Sequence, residues 1–516
     1  MNFAVYIGRA AAAAAVAVSI SSVTLPRLSH AQTTVALEGT LSAIWGTPRR
    51  GHPGGGTYFS VTTPDGTNYP LQVSPSDRSI AFQGFGKRVR VHGQVTRMAP
   101  GSSAIAVERL ELTQPAQSPE LPQLAATTIK RVLFILVKYK GDSQAPHTAA
   151  WFKSLTNPLT PPAGFNSPAT INGFFYNTSY HRLKWQADAA GWYVLSKTKS
   201  GYAPCGWSGS CAAGNLTTLA NEAMNLAVAH GVNVGVYSNI NIVINNDLDC
   251  CAWGGGFTYS GNGKFYGATW EPPWGQEAGV YSHEMSHSLG LPHSGWVYYA
   301  YDSPWDILSM ILSDSTKNCG SYKSANSSNA VRALNCDEPG NAFITPHKLY
   351  LGWIPAGNQV VINSKTTQNV VLESLALPLG SAKKVVKICL AGQTCTGSAA
   401  HFITVEARTG SPQFDQGVLQ NAVVIHDVKM NRGPIGGSCY FNSQSGWAVP
   451  IDAVNGDFNT TTCTPKPFTC GATSDGALCN SGYTVGKTYS NATYGISVKV
   501  LSSTASTFTV RVSRTK

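Results

Sequence analysis

The stretch from Tyr281 to His293 reads YSHEMSHSLGLPH and brings three histidines and a glutamate close together. His283 and His287 are four residues apart, so on a helix their imidazoles share one face and can converge on one ion. Gly290 can end that helix because glycine tolerates positive φ. The turn after it presents His293 as a third ligand. Three neutral imidazoles leave the fourth tetrahedral position of a zinc ion open to water, as in catalytic zinc sites.

Glu284 follows the first histidine and can reach a water on that ion. Zinc lowers the pKa of bound water from 15.7 to about 7 and polarises a carbonyl oxygen. The carboxylate would take the proton of the water as general base and pass it to the leaving amine as general acid. The alternative is a set of histidines satisfied within a core, but the complete spacing rarely arises by chance. The pattern predicts hydrolysis of an amide bond in a protein or peptide substrate.

The motif HExxHxxGxxH resembles that of the metzincin zinc endopeptidases, and it is met at every position from His283 to His293. Within that clan the chain is most similar to the secreted proteases of the gametolysin and immune inhibitor A type. Looser similarity is carried by three further stretches, 170–185, 345–353 and 401–428. The resemblance covers about residues 130–510. It implies a secreted endopeptidase with one catalytic Zn²⁺, an α/β catalytic domain and Glu284 as its base.

Metzincins also place a Met-turn beneath the zinc, and the resemblance implies one in the stretch 301–310. The family pattern would put the methionine at position 308, where this chain has Leu308, while Met310 lies two residues further on. Because this side chain supports the site by apolar contact, leucine should serve. Astacin-like relatives use a tyrosine two residues after the methionine as an extra ligand, and neither Met310 nor Leu312 can do so.

The whole chain predicts a multidomain α+β protein. Residues 32–113 predict a small β-barrel, OB-like in its five short strands, with Asp65-Gly66 as a hairpin turn. A linker rich in Pro, Gln and Ser follows at 114–126. The predicted strands are 35–45, 56–62, 69–73, 87–95 and 104–112.

Residues 127–358 predict the α/β catalytic domain, and 359–516 predict a disulfide-stapled β-sandwich. The run 131–139 indicates a strand buried on both faces. Ser167-Pro168 indicates the start of a helix reaching about Tyr176. A second helix is predicted from Leu216 to His230, ending at Gly231. The other predicted strands of this domain are 183–188, 192–196, 239–245 and an edge strand at 264–270.

The first 31 residues resemble a signal peptide, with Arg9, an apolar run from Ala10 to Val23 and the ending Ser29-His30-Ala31. This predicts a secreted protein, or a periplasmic one in a Gram-negative cell, without a membrane span. The net charge of +11 is spread over the chain, with 37 basic and 26 acidic residues, which argues against nucleic acid as a partner. The oligomeric state is open, with a monomer as the default expectation.

All 12 cysteines lie between Cys205 and Cys479, and an exported protein would oxidise them to disulfides. The adjacent Cys250 and Cys251 are expected to have separate partners. Zinc–thiolate binding is disfavoured because no paired CxxC spacing exists. Four close pairs could form small loops, namely Cys205/Cys211, Cys319/Cys336, Cys389/Cys395 and Cys470/Cys479.

Several other polar and aromatic residues allow functional interpretations that are weaker than structural ones. Oxygen ligands for calcium occur at 245–249, but the spacing lacks a complete loop, and a turn at a strand end is the simpler interpretation. His347, His401 and His426 are expected to pack within elements. Trp270, Trp274 and Trp305 could line a substrate cleft but are expected in the core. The candidate calcium ligands are Asn245, Asn246, Asp247 and Asp249.

The role of the N-terminal barrel is open at this stage. No cysteine precedes Cys205, so the barrel cannot block a metal with a thiol. It could be a removable prodomain that acts sterically, a folding chaperone or a retained binding module. Two other functions compete with the endopeptidase. One is an extracellular binding or adhesion protein with a vestigial zinc site, which the intact Glu284 disfavours, and the other is a zinc hydrolase acting on non-peptide amides.

Overall fold

The computed structural model describes a mostly β chain. The predicted signal peptide, Met310 and eight of the cysteines lie outside the described residues, as does the linker apart from its last residue. The ranges described are 33–48, 55–74, 76–97, 103–113, 126–204, 215–293, 303, 305–308, 322–323, 331–332, 341–410, 413–415, 418, 420–432, 447–451, 453 and 481–516.

The N-terminal region forms the predicted five-strand barrel. Within the barrel each strand pairs with two others. A parallel pairing between the third and fifth strands closes the ring in the order β1-β2-β3-β5-β4. Gly66 makes the predicted turn between the second and third strands at φ 85°. A helix that the sequence did not predict lies between the third and fourth strands. The elements are β1 (Thr34–Pro48), β2 (Gly56–Thr62), β3 (Asn68–Gln72), α1 (Arg78–Gln83), β4 (Arg88–Arg97) and β5 (Ser103–Leu112).

The region that carries the histidine motif is a sheet with helices packed on it. Its strands run in the order β7-β6-β8-β10-β9, and only β9 is antiparallel to its neighbour. The strands are β6 (Thr128–Lys138), β7 (Leu183–Val194), β8 (Asn239–Ile244), β9 (Cys251–Thr258) and β10 (Phe265–Glu271). The helices are α2 (Ala149–Thr156), α3 (Ile171–Thr178), α4 (Leu216–Ala229) and α5 (Ala278–His287).

The barrel and this sheet are continuous. The last five residues of β1, from Ile44 to Pro48, pair antiparallel with β9. The combined sheet therefore has ten strands, and β9 is an inner strand between β1 and β10. The barrel has its own hydrophobic cluster, which includes Leu41, Trp45 and Phe82.

The C-terminal region consists of two sheets that share one hydrophobic cluster, the layering expected of a sandwich. A six-stranded sheet has the order β13-β15-β16-β17-β18, with β19 also on β17, and a four-stranded sheet has the order β14-β22-β21-β20. The preceding elements are β11 (Tyr322–Lys323), β12 (Val331–Arg332) and α6 (Thr345–Tyr350). The strands are β13 (Gln359–Ile362), β14 (Thr366–Glu373), β15 (Val385–Cys389), β16 (His401–Arg408), β17 (Ala422–Lys429), β18 (Ala448–Pro450), β19 (Gly482–Tyr483), β20 (Thr488–Asn491), β21 (Ile496–Ser503) and β22 (Thr507–Arg514).

Several predicted element boundaries are wrong for local physical reasons. The helix expected at Ser167-Pro168 begins at Ile171, because the Thr170 side chain accepts a hydrogen bond from the Gly173 amide and caps it. The two strands predicted over 183–196 are one strand, β7. The strand predicted at 264–270 as an edge is internal, because the unpredicted glycine-rich β9 lies beside it.

Two disulfides lie within the described residues, and one of them corrects a prediction. Cys389 and Cys395 are bonded as expected. Cys250 and Cys251 are bonded to each other, not to separate partners. Both are fully buried where β9 begins, and among the described cysteines no other partner is available to them. Within the same part of the chain, no helix is long and apolar enough to cross a membrane.

Candidate metal centre

The three motif histidines converge at the C-terminal end of α5. Both His283 and His287 lie on this helix, and Gly290 ends the turn after it with φ 84°, as predicted. The Nε2 atoms of His283 and His287 are 3.1 Å apart, and those of His287 and His293 are 3.0 Å apart. The third separation, between His293 and His283, is 3.2 Å. Three nitrogens bound tetrahedrally to one zinc at 2.0–2.1 Å would be about 3.3 Å apart, so this donor set fits the ion.

Backbone carbonyls fix the tautomer of two of these rings. The Nδ1 atom of His283 lies 2.7 Å from the Ile307 carbonyl oxygen, and that of His287 lies 2.7 Å from the Leu291 carbonyl oxygen. Since Nδ1–H donates to the carbonyl, Nε2 carries the lone pair that a metal would bind. Burial also lowers the pKa of His283 to about 4 and that of His287 well below its usual value. The rings are therefore held in the neutral form that binds metal.

Glu284 lies on the same helix and is fully buried beside β9. Burial raises its pKa well above the usual value, and the nearby Thr47 hydroxyl opposes that rise. Gly254 of β9 is the residue that makes room for this glutamate. A Cβ at position 254 would lie 2.3 Å from the backbone carbonyl oxygen of Glu284 and 2.7 Å from the side-chain Oε2 of Glu284. Only glycine allows β9 and α5 to approach this closely.

The segment expected to form the Met-turn supplies the carbonyl that orients His283. Leu308 is fully buried in the same hydrophobic cluster as Met285 and Leu291, whereas Met310 lies outside the described residues. The Trp305 carbonyl accepts a hydrogen bond of 2.6 Å from Arg408 of β16. Asp306 Oδ2 lies 3.1 Å from Nδ1 of His347. The C-terminal sheet and α6 therefore hold this segment in place.

The N-terminal barrel reaches into the centre through β1. The Trp45 indole stacks on the His287 ring, with centroids 4.9 Å apart and planes inclined by 9°. The Thr47 hydroxyl lies 3.2 Å from Nε2 of His283. Because the Nδ1 proton of His283 is committed to Ile307, the hydroxyl is the donor in this contact. All three histidines and Glu284 are inaccessible to solvent, with an exposed fraction of 0%.

Most of the other residues singled out in the sequence have structural partners. His401 Nε2 lies 2.7 Å from Asp427 Oδ1, and His426 Nδ1 lies 3.8 Å from Glu406 Oε2. Together with His347, these rings stand apart from the three-histidine group. The three tryptophans are all buried, as expected of core residues, namely Trp270, Trp274 and Trp305.

The oxygens considered for calcium hold the turn between β8 and β9. Asn245 Oδ1 accepts from the Tyr139 amide, and Asn246 Oδ1 accepts from the Asp247 amide. Asp249 Oδ1 accepts from the Trp253 indole at 3.0 Å. These bonds favour the interpretation as a turn at a strand end, and we do not propose a calcium site here.

The sequence singled out the three histidines and Glu284, which the structure brings together, but it gave no indication of the groups that orient and cover them. The Ile307 and Leu291 carbonyls carry no signal, because every residue has one. Gly254 does leave a trace, since it opens the run Gly254-Gly255-Gly256 in an otherwise apolar strand. Nothing near Trp45 or Thr47 in the sequence indicates contact with histidines more than 200 residues away.

A scan against models of known protein families gave no match, and no curated protein matches the chain.

Proposed function

We propose that the protein is a secreted, zinc-dependent endopeptidase of the metzincin type. The observation that supports this most is the convergence of three imidazoles, with Nε2 separations of 3.0–3.2 Å, beside a buried glutamate that lies on the helix of His283 and His287. Disulfides in the described part of the chain are in keeping with export. The strand order of the barrel, with a helix between β3 and β4, supports an OB-like assignment.

In this proposal His283, His287 and His293 hold the zinc through Nε2. Bound zinc supplies a Lewis acid that makes a water molecule acidic and polarises a carbonyl group. Glu284 takes the proton of the attacking water and returns it to the nitrogen of the leaving amine. The two backbone carbonyls keep the ligand lone pairs directed inward.

The experiment compares Glu284→Gln with the wild-type protein on casein, with and without a chelator. Glutamine keeps the shape of the side chain but cannot accept a proton. We expect zinc to remain bound at one ion per chain while hydrolysis falls by about 10²–10⁴-fold. The matched control is Glu108→Gln on the exposed face of the barrel, which should leave both quantities unchanged.

The outcomes separate the competing functions. Chelator-sensitive cleavage that is lost in Glu284→Gln supports the endopeptidase. Zinc binding without cleavage of casein, in a variant such as Gly46→Val that moves β1 away from the site, contradicts it. Release of the acyl group from a small amide, with casein intact, would instead point to a hydrolase for non-peptide amides.

A further inference from the structure

The N-terminal barrel covers the candidate metal centre with one strand. Residues Ile44–Pro48 pair antiparallel with β9, which without β1 would be the edge strand of the sheet that carries the site. Trp45 lies opposite Gly254, the glycine that contacts Glu284. Thr47 lies opposite Ala252, and its side chain is 3% exposed. This strand therefore lies along the edge of β9 and beside α5.

The contacts of this strand are with the chemical groups of the site. Thr47 donates to Nε2 of His283, the atom that would bind the metal, and its hydroxyl also lies near the Glu284 carboxyl group. A hydroxyl between a ligand nitrogen and the general base occupies the region that an attacking water needs. Trp45 covers the face of the His287 ring.

A second barrel element also packs close to the site. Phe85, just after α1, packs edge-on against Phe265 of β10 with ring centroids 5.1 Å apart. It also lies close to Gly290, where an added Cβ would be 3.4 Å from the Phe85 ring. Phe85 and Trp45 contact each other, with centroids 5.7 Å apart. The part of the barrel that contacts the site is thus itself packed, through Trp45 and Phe85.

We propose that the barrel is an autoinhibitory domain whose strand β1 lies in the substrate groove and whose Thr47 hydroxyl takes the place of the attacking water. This inference rests on the proposed function, because it describes the regulation of the same site. An extended peptide would pair with β9 in the same manner as β1, through main-chain hydrogen bonds along a free strand edge. The barrel and a peptide substrate therefore exclude each other, and activity requires that β1 leave β9.

The test uses the full chain loaded with zinc and two substitutions in β1. Thr47→Val keeps the shape of the side chain and removes only the hydroxyl. Gly46→Val introduces a Cβ that would lie 2.4 Å from the Trp253 ring, which is fully buried and hydrogen-bonded to Asp249, so the strand must move away. The control is Thr40→Val, on the same strand but paired only within the barrel.

Two quantities are measured for each protein: the rate of cleavage of a quenched fluorescent peptide and the rate of zinc removal by a chelator. We expect Gly46→Val to raise both rates by about tenfold or more, and Thr47→Val by about fivefold. Thr40→Val should match the wild-type protein. Hydrogen exchange at the β9 amides should quicken in Gly46→Val but not in the control. Circular dichroism checks that each variant is folded, and if Gly46→Val is not, Thr47→Val decides the test.

The failure of each proposal gives a different result. Equal zinc removal, with measurable and equal cleavage in the wild-type protein and the folded variants, would overturn autoinhibition and leave the endopeptidase standing. Faster zinc removal without cleavage in any variant would support the covering strand and overturn the proposed function.

A separate set of contacts assigns a positioning role to Arg408, a residue of the C-terminal sheet. Its guanidinium group donates two hydrogen bonds to Asp415, one of 3.1 Å to Glu406 and one of 2.6 Å to the Trp305 carbonyl. Two residues later, the Ile307 carbonyl accepts from His283. Arg408 and Asp415 are fully buried, so this connection is not weakened by solvent. We infer that Arg408 sets the orientation of the His283 ring and through it the affinity for the metal.

The test is Arg408→Lys, which replaces the planar guanidinium group with a single ammonium group. Zinc affinity should fall by about 10–100-fold, the range typical of groups that orient a metal ligand, and the visible spectrum of the cobalt-loaded protein should change. The control is Arg432→Lys, which alters another nearly buried arginine–aspartate pair in the same sheet. If Arg408→Lys does not fold, His347→Gln tests the other support of the segment, at Asp306. Unchanged affinity and spectrum in a folded variant, or equal losses in the control, would contradict the inference.

Discussion

At the scale of single residues, the site depends on Gly254, which has no side chain. Gly254 leaves the space that Glu284 occupies, and a methyl group there would overlap two of its oxygen atoms. We expect Gly254→Ala to reduce peptide cleavage by at least about tenfold, since small displacements of a catalytic group are costly. The variant should be assayed together with Thr47→Val, so that cleavage can be measured.

The control for this prediction is Gly357→Ala, because an added Cβ at position 357 meets no atom within 4 Å. It should leave cleavage and the melting temperature close to those of the parent. Full activity in Gly254→Ala would mean that β9 and α5 separate more easily than their close contact implies.

The residues of the site were predictable to the extent that their chemistry lies in side chains that are close in sequence. His283, Glu284, His287 and His293 fall within eleven residues, and their spacing fixes their convergence once α5 and the turn at Gly290 form. The groups that orient them are carbonyls, and Thr47 comes from a different region of the chain. Such contacts depend on tertiary packing, which local patterns do not encode.

At the scale of elements, the caps and glycines account for the differences between prediction and structure. Strand β6 was predicted because its apolar run is uninterrupted, whereas β9 was missed because Gly254-Gly255-Gly256 is typical of a loop. The start of α3 was placed too early because Ser167-Pro168 resembles a cap. The cap is instead Thr170, which also donates to the Pro158 carbonyl at 2.7 Å.

The cap of α3 gives a prediction at this scale. Thr170→Ala removes the acceptor for the Gly173 amide and should lower the free energy of unfolding by about 1–2 kcal/mol. Ser167→Ala, at the position that the sequence favoured, should cost less, because among the described contacts the Ser167 hydroxyl donates to the nearby Ala169 carbonyl and caps no helix amide. Urea denaturation of both variants measures the difference. Equal losses, or a larger loss for Ser167→Ala, would contradict the assignment of the cap.

At the scale of the whole molecule, buried histidines make the fold sensitive to acid. His426 is fully buried in β17, and burial lowers its pKa to about 4 from the ordinary 6.5. The unfolded chain therefore binds a proton between these two values while the folded chain does not. Stability is unaffected above pH 6.5 and falls as the pH drops toward 4, by about 3 kcal/mol in all.

The measurement is the free energy of unfolding at pH 7.5 and at pH 4.5 for the wild-type protein and His426→Gln. The substitution should reduce the decrease in the free energy of unfolding from pH 7.5 to pH 4.5, whatever its effect on stability at pH 7.5. His92→Gln, on an exposed face of the barrel, serves as the control and should retain the wild-type difference. An unchanged difference in His426→Gln would show that other groups dominate the acid response.

The same scale shows why the domain plan was only partly predictable. The barrel was predictable because it has five short strands with turn residues between them. The two C-terminal sheets were predictable because that region also alternates between strands and turns. Contacts between these regions were not predictable. The hydrophobic cluster under α5 includes Phe174, Phe343 and Phe402, so it crosses the expected boundary at residue 358.

The ten-stranded sheet has a consequence for the protein once β1 has left. Its partner β9 would then carry a row of unsatisfied amide and carbonyl groups along a glycine-rich, uncharged border. Such borders recruit strands from other molecules and initiate precipitation. The uncovered protein would thus be active but prone to aggregation. Light scattering from Gly46→Val should increase with time in the absence of a peptide. It should increase less when a slowly cleaved peptide occupies the edge of β9.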